Sequence, residues 1–310
     1  NESGKGRLAA ASMIWCKLDP DKVDVDAPRA ACCDDKNPAI LEVWDAYHNW
    51  IEDALQHCVE QFGFALLLDI HDQNHRRLVT ELGYGMDIDE LLLFDDVLDV
   101  STKPTSVDFL LKAGIEAGHK PPGGLAALVR GRSSFGAHIE KHRFRCTPSP
   151  TTPEPVQAQP LYRSRKKALT TALTEDEENA LKYYHDGFTL RRYSGMATEE
   201  EEKADREHRA LVAEMERQRL LDEQARKEES RKADEHAVEG DDEVLERQKS
   251  KEQAKIGWKG KVAVVRVTTS WLGVRSEILA RRSFGEHLAR ACEEYLYDWL
   301  GWTMPEDSRG

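Results

Sequence analysis

Apolar residues recur along this chain at two different spacings. Ile40, Trp44, Tyr47, Ile51, Leu55, Cys58 and Phe62 fall three or four positions apart, the repeat of one face of an α-helix. Asn37 just before Pro38 supplies an N-cap followed by proline at the first helical position. The spacing predicts a core-facing helix of about 24 residues. It runs into Phe64 to Ile70, "FALLLDI", an apolar run too continuous to alternate, which predicts a central strand covered on both faces. Helix followed by buried strand points to α/β layering.

Further along, "SVDFLLKAGIEAG" and "SSFGAHIEKH" read as helices, separated by the turn signal "PPGG" and the apolar "LAALV". The proline-dense "CTPSPTTPEPVQAQP" excludes regular structure and leaves either a loop folded over something or a linker. "KVAVVRVTT" predicts a second strand rich in valine. "SFGEHLARACEEYLYDWL" predicts a helix opened by a Ser283 to Glu286 capping box, with Phe284, Leu288, Cys292, Tyr295 and Trp299 on its core face.

Residues 197–256 break the pattern, because Glu, Lys, Arg, Gln and Ala displace nearly all large apolar residues there. Glu199 with Lys203, Glu202 with Arg206, Glu223 with Lys227 and Glu228 with Lys232 make (i, i+4) pairs, each worth about 0.3 to 0.5 kcal/mol in an isolated helix. The expectation is a charged, solvated helix, interrupted near Gly240, that adds little to the core. Leu211, Met215, Leu220 and Leu221 form too short a stripe for a sustained coiled-coil seam. The division this predicts is one α/β domain over 1–196 and 257–304, a charged insertion over 197–256 and a tail over 305–310.

Composition narrows the function classes. The chain has 310 residues, 40% of them hydrophobic, enough for a real core. A formal charge of -13 argues against nucleic acid as an electrostatic partner. No apolar run approaches the roughly 20 residues of a membrane-spanning helix and no leader pattern opens the chain, so a soluble, cytoplasmic protein without a membrane partner is expected. The six cysteines show no C-x-x-C and irregular gaps, which predicts reduced thiols. The chain opens at Asn1 rather than Met, and so reads as a fragment.

The candidate chemistry stands at the end of the first strand, where "DIHDQNH" places Asp69, His71 and His75. On an extended strand Asp69 and His71 point to one side, and ligands bind at the carboxyl ends of strands in α/β folds. An imidazole there can ligate zinc or move a proton while a carboxylate orients it. The alternative is a histidine merely hydrogen-bonded at the strand terminus.

"LLLDIHDQNHRRLVTELGYGMD" resembles the segment "D-[IL]-H-G-x-G-H … ELGY" of the N-formylglutamate amidohydrolase family, especially its eukaryotic and fungal branch. The likeness continues in order. "CKLDPDKVDVDAPRA" resembles "KLHRSKxDxNR", "VWDAYHNWIEDA" resembles "AWxxYHxFI", and "SSFGAHIEKHRFRCTPSPTTPEP" resembles "SLGxLLxxxGYxxVPSPxxPxP". "YYHDGFTLRRYSG" is similar to "YFxGGYxTRRHGS", and "VAVVRVTTSWLGVR" to "AIQIExPxxVR". The resemblance implies a three-layer α/β sandwich with a mixed, mainly parallel central sheet, akin to zinc carboxypeptidases. It implies a zinc-dependent hydrolase that removes a formyl or other acyl group from an amino acid. It makes His71, with His75, the candidate metal ligands and Asp69 the neighbour that orients His71. Arg191, Arg192 and Tyr193 become candidates for holding the substrate, and the loop from Thr147 is expected to border the pocket.

The departures from the family pattern fall on the chemistry. No histidine precedes His48, Asp72 and Asn74 replace two glycines, and Thr268 stands where the family's strand glutamate is expected. Asp26 and Ala27 replace the family's Asn-Arg, with Arg29 displaced, and Tyr193 replaces a histidine. A zinc site normally takes three protein ligands and an open position, so the missing ligand is expected upstream of Asn1 or the set is incomplete. Two readings follow. One is an active zinc amidohydrolase; the other is a catalytically impaired relative that binds a protein partner through residues 197–256.

Overall fold

Asn37 caps the first long helix as its sequence predicts. Its side-chain oxygen accepts from Ala39 N at 3.0 Å, Pro38 takes the first helical position, and Gly63 ends the helix in the left-handed region. Such a cap contributes about 1 kcal/mol. In the computed structural model this helix, α1, spans Pro38–Phe62. The structure describes residues 12–33, 37–72, 79–153, 185–233, 257–270 and 274–303. His75, Gly240 and the 305–310 tail lie outside the described residues.

Four strands follow from the apolar runs: β1 (Ala65–Asp72), β2 (Thr80–Gly83), β3 (Cys146–Thr147) and β4 (Val262–Thr269). They form a mixed sheet in the order β1-β4-β2-β3. β1 and β4 are parallel, β2 and β3 are parallel, and β2 meets β4 antiparallel. The continuous run in β1 predicts a central strand, but β1 lies at an edge among the described strands. β4 is the inner strand, and all eight of its residues are buried. An apolar run reports covered faces, not neighbours on both sides, so it does not distinguish an edge strand from an inner one.

The other described helices are α2 (Ile88–Leu91), α3 (Asp95–Asp99), α4 (Asp108–Glu116), α5 (Leu125–Arg130), α6 (Phe135–Lys141), α7 (Phe188–Ser194), α8 (Glu199–Ala233) and α9 (Ile278–Leu300). Leu66, Leu68, Ala263, Val265, Val267 and Leu82 pack in the cluster that holds Leu110, Leu128, Phe135, Tyr295 and Trp299 of α4, α5, α6 and α9. Ala65, Leu67, Val262 and Val264 pack on the opposite side, with Ile51, Leu55 and Val59 of α1 and Leu190 and Tyr193 of α7. Residues of β4 therefore alternate between two cores. None of the described helices is long and apolar enough to cross a membrane. All six cysteines are free thiols.

Two sequence expectations change. The predicted capping box at Ser283 and Glu286 falls inside α9, which begins at Ile278; Glu286 instead pairs with Arg282 at 2.9 Å. A reciprocal capping pair is found at the start of α8: Glu201 N donates to Thr198 Oγ1 at 3.2 Å and Thr198 N donates to Glu201 Oε2 at 2.9 Å. α8 is helical as predicted, but its first turns do not float in solvent. Asp205 accepts from Arg192 at 2.6 Å and Arg209 at 2.9 Å, while Glu52 of α1, almost fully buried, accepts from Arg192 at 3.0 Å and Arg209 at 2.8 Å. His208 meets Asp45 at 2.9 Å. Beyond Arg209, Leu211, Met215 and Leu221 of the same helix are exposed. Glu202 pairs with Arg206 as expected, at 3.3 Å, whereas Lys203 faces Glu207 at 3.9 Å. The side chains of Lys227, Glu228 and Lys232 lie outside those described.

The proline-rich stretch is folded in where it is described. Cys146 and Thr147 pair with β2, and Ser149, also buried, donates to Glu140 Oε1 at 2.8 Å. Residues 154–184 lie outside the described residues.

Candidate metal centre

The α1 side of the sheet changes character along its length. Val262 and Val264 are followed, two residues at a time, by Arg266 and Thr268; Ala65 and Leu67 are followed by Asp69 and His71. Period-two alternation keeps each series on one face. In register, Asp69 lies beside Arg266 and His71 beside Thr268. Thr268 lies opposite Glu81, and Glu81 beside Thr147, so one row crosses all four strands from His71 to Thr147. This polar end coincides with the carboxyl ends of the parallel pair β1 and β4, the place where α/β sheets hold ligands.

Asp69 and His71 meet as their spacing predicts, His71 Nε2 lying 2.8 Å from Asp69 Oδ1. A second carboxylate, Asp26, enters from the loop before α1, its Oδ2 3.9 Å from His71 Nε2. One donor atom from each of Asp26, Asp69 and His71 lies within 4.8 Å of the other two, and this is the group among the described residues able to hold a metal ion. Arg266 shares the space: its Nη1 is 2.6 Å from Asp26 Oδ2 and 3.7 Å from Asp69 Oδ2. Two carboxylates stand against one guanidinium beside the His71 imidazole.

Asp26 is held on every side. Thr189 N, in the first turn of α7, donates to Asp26 Oδ1 at 2.9 Å. Trp44 Nε1 donates to Ala27 O at 3.0 Å, and His48 Nε2 lies 3.0 Å from Val25 O. Because a carbonyl only accepts, Nε2 of His48 carries the proton and Nδ1 accepts from Tyr193 Oη at 2.7 Å. Helix α1 thus fixes the backbone on both sides of Asp26. Burial, reinforced by nearby Arg192, pushes the His48 imidazole down to about 3, so it stays neutral. Burial would raise the Asp26 carboxyl, but Arg266, His71 and the Thr189 N–H outweigh it and hold it below the usual carboxylate range. Burial pushes the Tyr47 phenol up to about 12, with the charges of Asp69 and Asp26 adding to it.

The remaining candidates distribute as follows. Thr268 is fully buried next to His71, and its hydroxyl has no hydrogen-bond partner among the described residues. Tyr193 reaches the site only through His48 and Val25. Arg191 is committed to Asp186 at 2.5 Å and Glu201 at 2.7 Å. Arg192 is committed to Glu52 and Asp205, with its guanidinium 5.5 Å from the Trp44 ring. The structure therefore brings Asp69, His71 and Thr268 together and ties both arginines to carboxylates of the chain itself.

Asp26 and Arg266 were missed in the sequence. Asp26 reads there as the loss of an asparagine, not as a gained ligand. Arg266 carried a usable signal, since a charge inside "VAVVRVTT" has to find a buried partner.

The donor set fits a divalent cation. It offers two carboxylates and an imidazole, the hard and borderline donors that zinc accepts. Asp69 is 8% exposed and its Oδ2 has no hydrogen-bond partner among the described residues, an orphaned acceptor aimed into the group. Comparison of the chain with protein-family models, curated proteins and solved structures finds no match in any of the three.

Proposed function

We propose that this chain is a metal-dependent amidohydrolase that cleaves a formyl or other acyl group from an amino acid, a substrate of the N-formylglutamate type. The observation that carries the reading is the convergence of Asp26, Asp69 and His71 at the carboxyl ends of β1 and β4. The ordered resemblance of its motifs to the N-formylglutamate amidohydrolases supplies the substrate class, zinc as the metal, and the three-layer, carboxypeptidase-like arrangement of the fold. With Asp26 in the group, three ligands are available from residues of this chain.

A zinc ion held there would polarise the amide carbonyl and acidify a water. The residues have separate tasks around it. Asp69 Oδ1 and His71 Nε2, 2.8 Å apart, would both turn to the ion, Nε2 doing so in its unprotonated form. Thr189 N, Trp44 and His48 fix the Asp26 carboxylate and the loop that bears it. The His71 side chain, 25% exposed, is where the group meets solvent and where a substrate would arrive. Arg191 and Arg192 keep the ion pairs they make with the chain.

The test is direct. The purified protein should retain zinc, release formate from N-formylglutamate or an acid from a related N-acyl amino acid, and lose both properties in His71→Ala. A folded protein without His71-dependent zinc would sink the reading. A second reading, a catalytically impaired relative that binds a protein through α8, is favoured by Thr268 where the family's glutamate is expected. It predicts His71-dependent zinc with no turnover of any N-acyl amino acid.

A further inference from the structure

We propose that Arg266 is the resident cation of this site: its guanidinium occupies Asp26 in the metal-free protein and has to leave that carboxylate when a divalent ion binds. The protein then alternates between an arginine-closed and a metal-loaded state. The inference rests on the metal reading above and goes beyond it, because it sets how tightly and when the ion is held.

The competition is for a particular atom. Asp26 Oδ2 is the oxygen that faces His71 Nε2, and it is also the one that accepts from Arg266 at 2.6 Å. The other oxygen, Oδ1, is taken by Thr189 N, a backbone group at the start of a helix that cannot be moved without moving α7. Arg266 sits at the end of a flexible stem and is the partner able to yield. Its remaining contacts are weak, since Nη1 is 3.7 Å from Asp69 Oδ2 and the buried Nε has no hydrogen-bond partner among the described residues. A half-satisfied guanidinium is cheaper to displace than a bidentate one.

The charge count points the same way. A divalent ion alone balances Asp26 and Asp69, whereas the ion together with Arg266 puts three positive charges against two negative ones at close range. The fold also keeps a place for the guanidinium. Gly187, the residue before α7, lies where a Cβ would collide with Arg266 Nη1.

The experiment compares cobalt binding to the full chain, stripped with a chelator, in the wild type and in Arg266→Gln and Arg266→Met. Titrations are followed by visible absorption and calorimetry, and His71→Ala identifies the signal that belongs to this site. Removal of the guanidinium should tighten His71-dependent binding at least tenfold, about 1.4 kcal/mol. Arg266→Lys, which keeps the charge on a shorter side chain, should give a smaller gain and remains informative if the neutral variants do not fold. His71-dependent binding that is equal or weaker in the folded variants overturns the proposal and leaves the metal reading intact. Absence of His71-dependent binding in every protein overturns the metal reading, and the proposal with it.

Discussion

The α1 side of the sheet has two ends built on the same strands at the same spacing, and they do opposite things. At one end Ala65, Leu67, Val262 and Val264 close against α1 and α7, and each fully buried valine there stabilises the fold by about 1.5 to 3 kcal/mol. At the other, four residues further along each strand, Asp69, Arg266 and Thr268 are buried and His71 is half-buried. Three of those four are ionisable, and three, Asp69, Arg266 and Thr268, leave buried polar atoms without hydrogen-bond partners among the described residues. A fold that keeps such groups in its core gives up stability there, so the contrast separates the part of the sheet that holds the molecule together from the part available for chemistry.

The contrast can be broken by exchange. Val264→Asp puts an unpaired carboxylate into the apolar end and should cost at least about 4 kcal/mol, read as the loss of a cooperative urea transition. A variant that unfolds at the same midpoint as the wild type would show that this end is not sealed. The next effect lies on α8, where a similar contrast runs along one helix. Asp205→Ala leaves Arg192 and Arg209 short of a carboxylate and should lower stability by about 2 kcal/mol. Arg217→Ala, in the exposed part and paired with Glu214 at 3.4 Å, should stay within about 0.5 kcal/mol of wild type. Equal effects at the two positions would return α8 to a freely solvated insertion.

A third effect is one of pH. His48 titrates at about 3 in the folded protein against an ordinary value of 6.5. The unfolded chain therefore takes up a proton that the folded one refuses. Its contribution is complete above about pH 6.5 and is lost as pH falls from there toward about 3, by about 1.4 kcal/mol per unit. The difference in urea midpoint between pH 7 and pH 5 should shrink in His48→Gln, which keeps an N–H donor for Val25 O. An unchanged difference would mean that His48 is charged when folded.

The smallest effect is the reverse exchange. Thr268→Val removes a buried hydroxyl that has no partner among the described residues and keeps the shape, so stability should rise by about 1 kcal/mol. A fall of similar size would show that the hydroxyl is bonded.

Much of this architecture was legible. The N-cap at Asn37 and Pro38 and the helical repeat from Ile40 to Phe62 depend on neighbours a few residues away, and α1 follows them closely. The Asp69 and His71 pair was legible for the same reason, because two residues apart on a strand means one side of it. The position of β1 at the edge was not, since strand order depends on pairing with residues almost two hundred positions away. Asp26 and Arg266 are likewise 240 positions apart, and nothing local says that a loop before α1 returns to the end of β4. The docking of α8 was hidden by composition: a helix nearly empty of apolar residues looks solvated, but its ion pairs with Glu52, Arg192 and Asp45 replace an apolar face.

The position of a bound metal ion is the decisive observable. Crystals of the full chain grown with zinc, with anomalous diffraction collected at the zinc absorption edge, would show it. The expected result is a peak roughly 2 Å from Asp26, Asp69 and His71 Nε2, with Arg266 turned away from Asp26. Zinc found only at cysteines or on the surface, with Arg266 still on Asp26, would contradict it.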